Sequence, residues 1–177
     1  MGFLFRQFSK RINTAFLHQL NFYYCCMKQR IYLDTSVIGE AFDEEFKKIT
    51  NQLFEMALQK KITLVISDVT EKELANAPLE VISFFAAINN ADIEFVFNNE
   101  ECINMANLYI KEGVVGQTSF DDCQHIAIAT VHKVDVLASW NFKQIVNIIR
   151  IRGYNSVNLK LGYNQIKILS PLQIINL

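Results

Sequence analysis

The stretch Arg30-Ile-Tyr-Leu-Asp34-Thr-Ser-Val37 decides how this chain reads. Ile31 to Leu33 form a short unbroken apolar run, the pattern of a strand covered on both faces in a parallel sheet. The run then stops at an acid. Burying an unpaired carboxylate costs several kcal/mol, comparable with the ~5–15 kcal/mol that holds a whole domain together. An acid at the mouth of a buried strand therefore needs a compensating cation. Two more acids stand where an apolar strand or helix begins or ends: Glu73 in Ser67-Asp-Val-Thr-Glu-Lys-Glu73-Leu, and Asp122 in Phe120-Asp-Asp122-Cys-Gln-His-Ile-Ala127. Asn141 closes a fourth apolar segment, Val136-Leu-Ala-Ser-Trp-Asn141. A hard divalent metal, Mg²⁺ or Mn²⁺, is the simplest shared partner, and metal plus carboxylates points to phosphoester chemistry.

Outward from this strand the rhythm is strand, helix, strand, helix. Glu44–Leu58 places Phe46, Ile49, Leu53, Phe54 and Ala57 at helical spacing. Thr63–Ile66 is a second apolar run. A helix is expected to follow it, with Asp68 as N-cap and Glu71 completing a capping box. Residues 79–88, 100–112 and 120–132 read as helices, the last rich in small apolar residues. Ile93–Phe97, Val136–Ser139 and Ile166–Leu169 read as strands. The alternation implies an α/β fold, a three-layer sandwich with a mostly parallel central sheet between helices. In such a sheet ligands bind beyond the carboxyl ends of the strands. Asp34 and Asn141 fall on that edge.

The 177 residues suffice for one domain with a large core, and 6 Gly and 2 Pro argue against a turn-rich all-β fold. Residues 1–27 show no strand alternation and read as a peripheral N-terminal extension, with an amphipathic surface helix or an artefact of start-site choice as the alternatives; the compact domain is expected over 28–177. Residues 34–122 carry 17 acids against six bases, and 133–177 carry six bases against Asp135 alone. That split suits a cation-filled pocket bordered by phosphate-attracting surface, although acids on solvated helix faces would look the same. Cys25, Cys26, Cys102 and Cys123 have neither CxxC pairing nor metal-ligand spacing, so reduced thiols in a cytoplasmic protein are expected. No apolar run is long enough to span a bilayer, so no membrane partner is expected.

Each site residue has a duller reading beside the functional one. Asp34 suits a turn with Thr35 and Ser36. Glu71 and Glu73 lie about 200° apart on a helix, so only one can face a site; a capping role for Glu71 leaves Glu73. Asp122 is preferred over Asp121 because it shares a face with His125, Ile126 and Ala129. Asn141 suits a turn, His125 reads as a satisfied core histidine, and Trp140 as a packing residue rather than a base-stacking one.

With these residues in place, the chain resembles the PIN-domain ribonuclease family, which includes the VapC-like toxin nucleases, over about Lys28 to Leu177. Ile-Tyr-Leu-Asp34-Thr-Ser is similar to the family's first strand and acid. The segment ending in Glu73-Leu74 is similar to its second, the Asp122 helix to its third, and Val136-Leu-Ala-Ser-Trp-Asn141 to its fourth. The chain departs at Asn141, where an acid is usual. The resemblance implies a Mg²⁺-dependent endoribonuclease acting on RNA, with Asp34, Glu73 and Asp122 as metal ligands and Asn141 as auxiliary ligand or water-positioner. It further implies a toxin role with an antitoxin partner and a homodimer. A non-catalytic PIN-like module that binds RNA or protein is the alternative, and Asn141 favours it. A phosphotransfer domain using Asp34 as acceptor lacks the acidic pair such a site needs.

Overall fold

Five short strands form one sheet: β1 (Gln29–Leu33), β2 (Ile62–Ser67), β3 (Ile93–Val96), β4 (Val136–Ala138) and β5 (Lys167–Leu169). Their order is β3-β2-β1-β4-β5, and every neighbouring pair is parallel. The computed structural model describes residues 28–87 and 92–177. The proposed extension, residues 1–27, lies outside the described residues, together with Cys25 and Cys26.

The strands alternate strictly, yet both faces are apolar. Ile31 and Leu33 join Leu64, Ile66, Val136 and Ala138 in one core cluster, while Tyr32, Val65 and Leu137 point into the other. Each cluster is roofed by helices. Helices α1 (Thr35–Gly39), α2 (Lys47–Leu58), α4 (Leu79–Ala87) and α8 (Pro171–Ile175) send Val37, Leu53, Val81 and Ile174 into the first cluster. Helices α5 (Glu100–Lys111), α6 (Phe120–Val131) and α7 (Ile148–Lys160) send Met105, Ile126 and Tyr154 into the second. The remaining helix, α3 (Asp68–Leu74), follows β2 directly. This is the expected α/β sandwich. Burying each large aliphatic side chain contributes about 1.5–3 kcal/mol, and Ile31, Tyr32 and Leu33 are all fully buried. Cys102 and Cys123 are buried and free, and burial pushes the Cys123 thiol up to about 12.

Two local expectations are corrected, and one helix was not anticipated. The cap of α3 is Ser67, whose Oγ accepts from the Thr70 amide; Asp68 instead accepts from the Asn98 amide at 2.7 Å. A hydroxyl on the last strand residue reaches the helix before Asp68 does, so the capping box with Glu71 does not form. Helix α2 begins at Lys47, not Glu44, because Asp43 turns the chain by accepting from the Glu45 amide. Helix α7 has no amphipathic stripe in the sequence. Its Ile148, Ile149 and Leu159 face solvent while Asn158 is fully buried, so periodicity gave no sign of it.

Two strands lead away from β1 on each side, so the chain changes direction across the sheet between β1 and β4. That is the switch point where the edge of an open α/β sheet splays into a crevice. The candidate residues lie along it.

Candidate active site

Asp34 follows β1 and is anchored there, its amide donating to the Ala138 carbonyl of β4 at 3.0 Å. It stands at the N-cap of α1, but its side chain caps no helix N–H, so the turn reading is not what its carboxylate does. Its Oδ2 accepts from the Ser36 hydroxyl and from Ser139 Oγ at 2.7 Å. The same two serines fix the β4 exit: Ser36 Oγ accepts from the Trp140 amide and Ser139 Oγ from the Asn141 amide. Asp34 is only 6% exposed, so these donors replace water.

Glu73 is the sixth of seven residues in α3 and turns toward Asp34. Between them stands His125 of α6. Its Nε2 lies 3.2 Å from Glu73 Oε2 and 3.6 Å from Asp34 Oδ1. Carboxylates only accept, so Nε2 carries a proton. Its Nδ1 lies 2.8 Å from the Tyr32 hydroxyl, which lies 2.7 Å from Ser67 Oγ. Burial pushes His125 toward the neutral form. The Tyr32 oxygen and the Glu73 and Asp34 carboxylates outweigh it and hold the ring protonated well above the usual histidine range. Burial also pushes Glu73 upward, but the hydrogen bond and charge of His125 bring it below the ordinary glutamate value.

Asp122 lies in the first turn of α6, half-buried, whereas Asp121 is exposed, as the face argument required. Burial, reinforced by the nearby charge of Asp34, raises Asp122 to about 6. Its Oδ1 accepts from Asn141 Nδ2 at 2.8 Å. The orientation of Asn141 is fixed from its other side: the Gln144 amide donates to Asn141 Oδ1 at 3.0 Å, and only an oxygen can accept there. The oxygen that would serve as ligand or water-holder is thus engaged, and the site receives a donor NH₂. Asn141 is a turn residue and a partner of Asp122 at once.

All four expected residues therefore meet at one rim, connected through His125 and Ser139. Trp140 packs instead of stacking on a base; it is 8% exposed, donates to Thr50 Oγ1 at 3.1 Å and lies against Phe46. Sequence reasoning missed Tyr32, Ser36 and Ser67. A tyrosine between Ile31 and Leu33 in a buried strand was the available signal, since its hydroxyl must find a partner there.

In kind, these donors fit a hard divalent cation, being three carboxylates. In arrangement, no group of three or more His, Cys, Asp or Glu among the described residues stands ready to hold one. The cation already between Asp34 and Glu73 is His125.

No family model and no curated protein matches this chain. Among solved structures the chain is similar to VapBC2 from Rickettsia felis bound to a DNA fragment from their promoter. Identity there is 15% over 80% of this chain and 98% of that one, with a TM-score of 0.48. It is also similar to tryptophanyl-tRNA synthetase of Plasmodium falciparum, at 13% identity over 86% of this chain and 53% of that one, with a TM-score of 0.40. Likeness at this level carries no argument about function. Among the described residues, no helix is long and apolar enough to cross a membrane.

Proposed function

We propose that this protein is a metal-dependent endoribonuclease of the PIN type, hydrolysing RNA phosphodiester bonds as the toxin of a type II toxin–antitoxin pair. The observation that supports the reading is that Asp34 and Glu73 share His125, at 3.6 Å and 3.2 Å, while their charges help burial to raise Asp122. In this reading the three acids hold Mg²⁺ or Mn²⁺. Bound by these residues, such an ion would supply positive charge at a phosphodiester and activate a water. Ser36 and Ser139 fix the rotamer of Asp34, and Asn141 fixes that of Asp122.

Lys143 and Arg152 are exposed and Arg150 is partly exposed, so these three suit an RNA backbone. Lys160 pairs with Glu112 at 2.6 Å. An antitoxin partner and a homodimer belong to the same reading.

Incubation of the pure protein with mixed RNA tests this: cleavage is expected with Mg²⁺ or Mn²⁺, and none in Asp34→Asn or Asp122→Asn. Cleavage that persists unchanged in both variants overturns the reading.

A second reading, a non-catalytic module that binds RNA or protein, is favoured by one observation. His125 and Asn141 already answer the buried carboxylates without an ion. RNA bound tightly but left intact with every divalent metal would select it.

A further inference from the structure

We propose that Tyr32 and Ser67 are positioning residues for Glu73, acting through His125. The proposal rests on the nuclease reading for what Glu73 does; the positioning is a property of the metal-free protein.

Glu73 sits on a helix of seven residues, too short to be stable or oriented by itself. Its direction must come from contacts at its ends. At the start, Ser67 Oγ accepts from the Thr70 amide at 3.4 Å. Near the other end, His125 Nε2 donates to the Glu73 carboxylate at 3.2 Å. One chain of hydrogen bonds joins these two contacts, because the Tyr32 hydroxyl touches both Ser67 Oγ and His125 Nδ1. The circuit closes through three elements: β1 gives Tyr32, α6 gives His125, and the β2–α3 junction gives Ser67.

Burial makes the circuit decisive. Tyr32 and Ser67 are fully buried and His125 is 2% exposed, so water does not compete for these bonds. The Glu73 side chain is 35% exposed, and without a fixed donor its carboxylate would sample several rotamers. The hydroxyl of Tyr32 has no packing duty that a Phe ring would fail to perform. Its placement between Ile31 and Leu33 is explained by the two bonds it makes.

Tyr32→Phe removes that single oxygen and keeps the ring. Partners behind metal-binding carboxylates typically matter by about 10- to 100-fold in affinity or activity. Mn²⁺ affinity is expected to fall by that factor, with kcat for RNA falling alongside and KM unchanged, while the buried bonds lost to Ser67 and His125 also lower the unfolding midpoint. Ser67→Ala, which removes the next link, is expected to move the same readouts in the same direction and serves if Tyr32→Phe does not fold. Tyr32→Phe binding Mn²⁺ as tightly as the parent overturns the proposal. If the parent neither binds Mn²⁺ nor cleaves RNA, the nuclease reading falls and metal-free crystal structures decide the positioning. A Glu73 carboxylate released from His125 in Tyr32→Phe supports it, and one still bonded at the same distance overturns it.

Discussion

Asn141 donates its side-chain amide to Asp122 at 2.8 Å while its oxygen accepts from the Gln144 amide at 3.0 Å. A carboxylate at position 141 could keep the Gln144 bond but would set a second negative charge against Asp122.

Asn141→Asp is therefore expected to destabilise the metal-free protein by about 1–3 kcal/mol, the usual cost of losing a hydrogen bond to a charged group. Mg²⁺ should recover most of that loss, because an ion between the two acids answers both. Thermal unfolding in chelator and in Mg²⁺ measures the difference. An equal loss in both conditions would contradict the account.

Asp122 gives a pH signature. Its folded-state value is raised to about 6 from an ordinary 3.8. The folded protein thus holds this proton more tightly than the unfolded chain does. The group's stabilising contribution is full below about pH 4 and is lost as pH rises through about 6. The difference in unfolding free energy between the parent and Asp122→Asn, measured with denaturant in chelator, should change across that window and level off above it.

Gly153 lies inside α7, where alanine normally stabilises a helix by about 0.5–1 kcal/mol. Here an added Cβ would stand 2.7 Å from Val114 Cγ1. The short branched valine has little room to yield, so overpacking at about 1–3 kcal/mol outweighs the helix gain. Gly153→Ala should lower the denaturant midpoint; the double variant with Val114→Ala should recover it.

Asn158 is fully buried in α7, accepting from the Tyr109 hydroxyl at 2.6 Å and donating to Thr130 Oγ1 at 3.2 Å. Asn158→Leu strands the Tyr109 hydroxyl and should cost about 1–3 kcal/mol. Adding Tyr109→Phe removes the stranded group, so the double variant is expected to be more stable than Asn158→Leu alone.

Much of the candidate site was legible because polar residues end apolar runs at strand ends: Asp34 after Leu33 and Asn141 after β4 fall on the same edge by register. Strands β1, β2 and β4 were legible for the same reason, since burial on both faces leaves continuous apolar segments. What escaped depends on partners distant in sequence. The need for a cation beside Asp34 was readable, but that His125 fills it depends on α6 crossing behind β1, which no local pattern encodes. Ser67 was passed over as cap because Asp68 is an equally good capping residue, and only the backbone path chooses between them. Helix α7 hid because its buried polar residue and exposed isoleucines invert the usual pattern.

Mn²⁺ titration of the metal-free protein, followed by calorimetry, tests the central claim most directly. The account predicts a bound ion in the parent and its loss in Asp34→Asn, Glu73→Gln and Asp122→Asn. Absence of binding in the parent, or binding that survives all three substitutions, would contradict it.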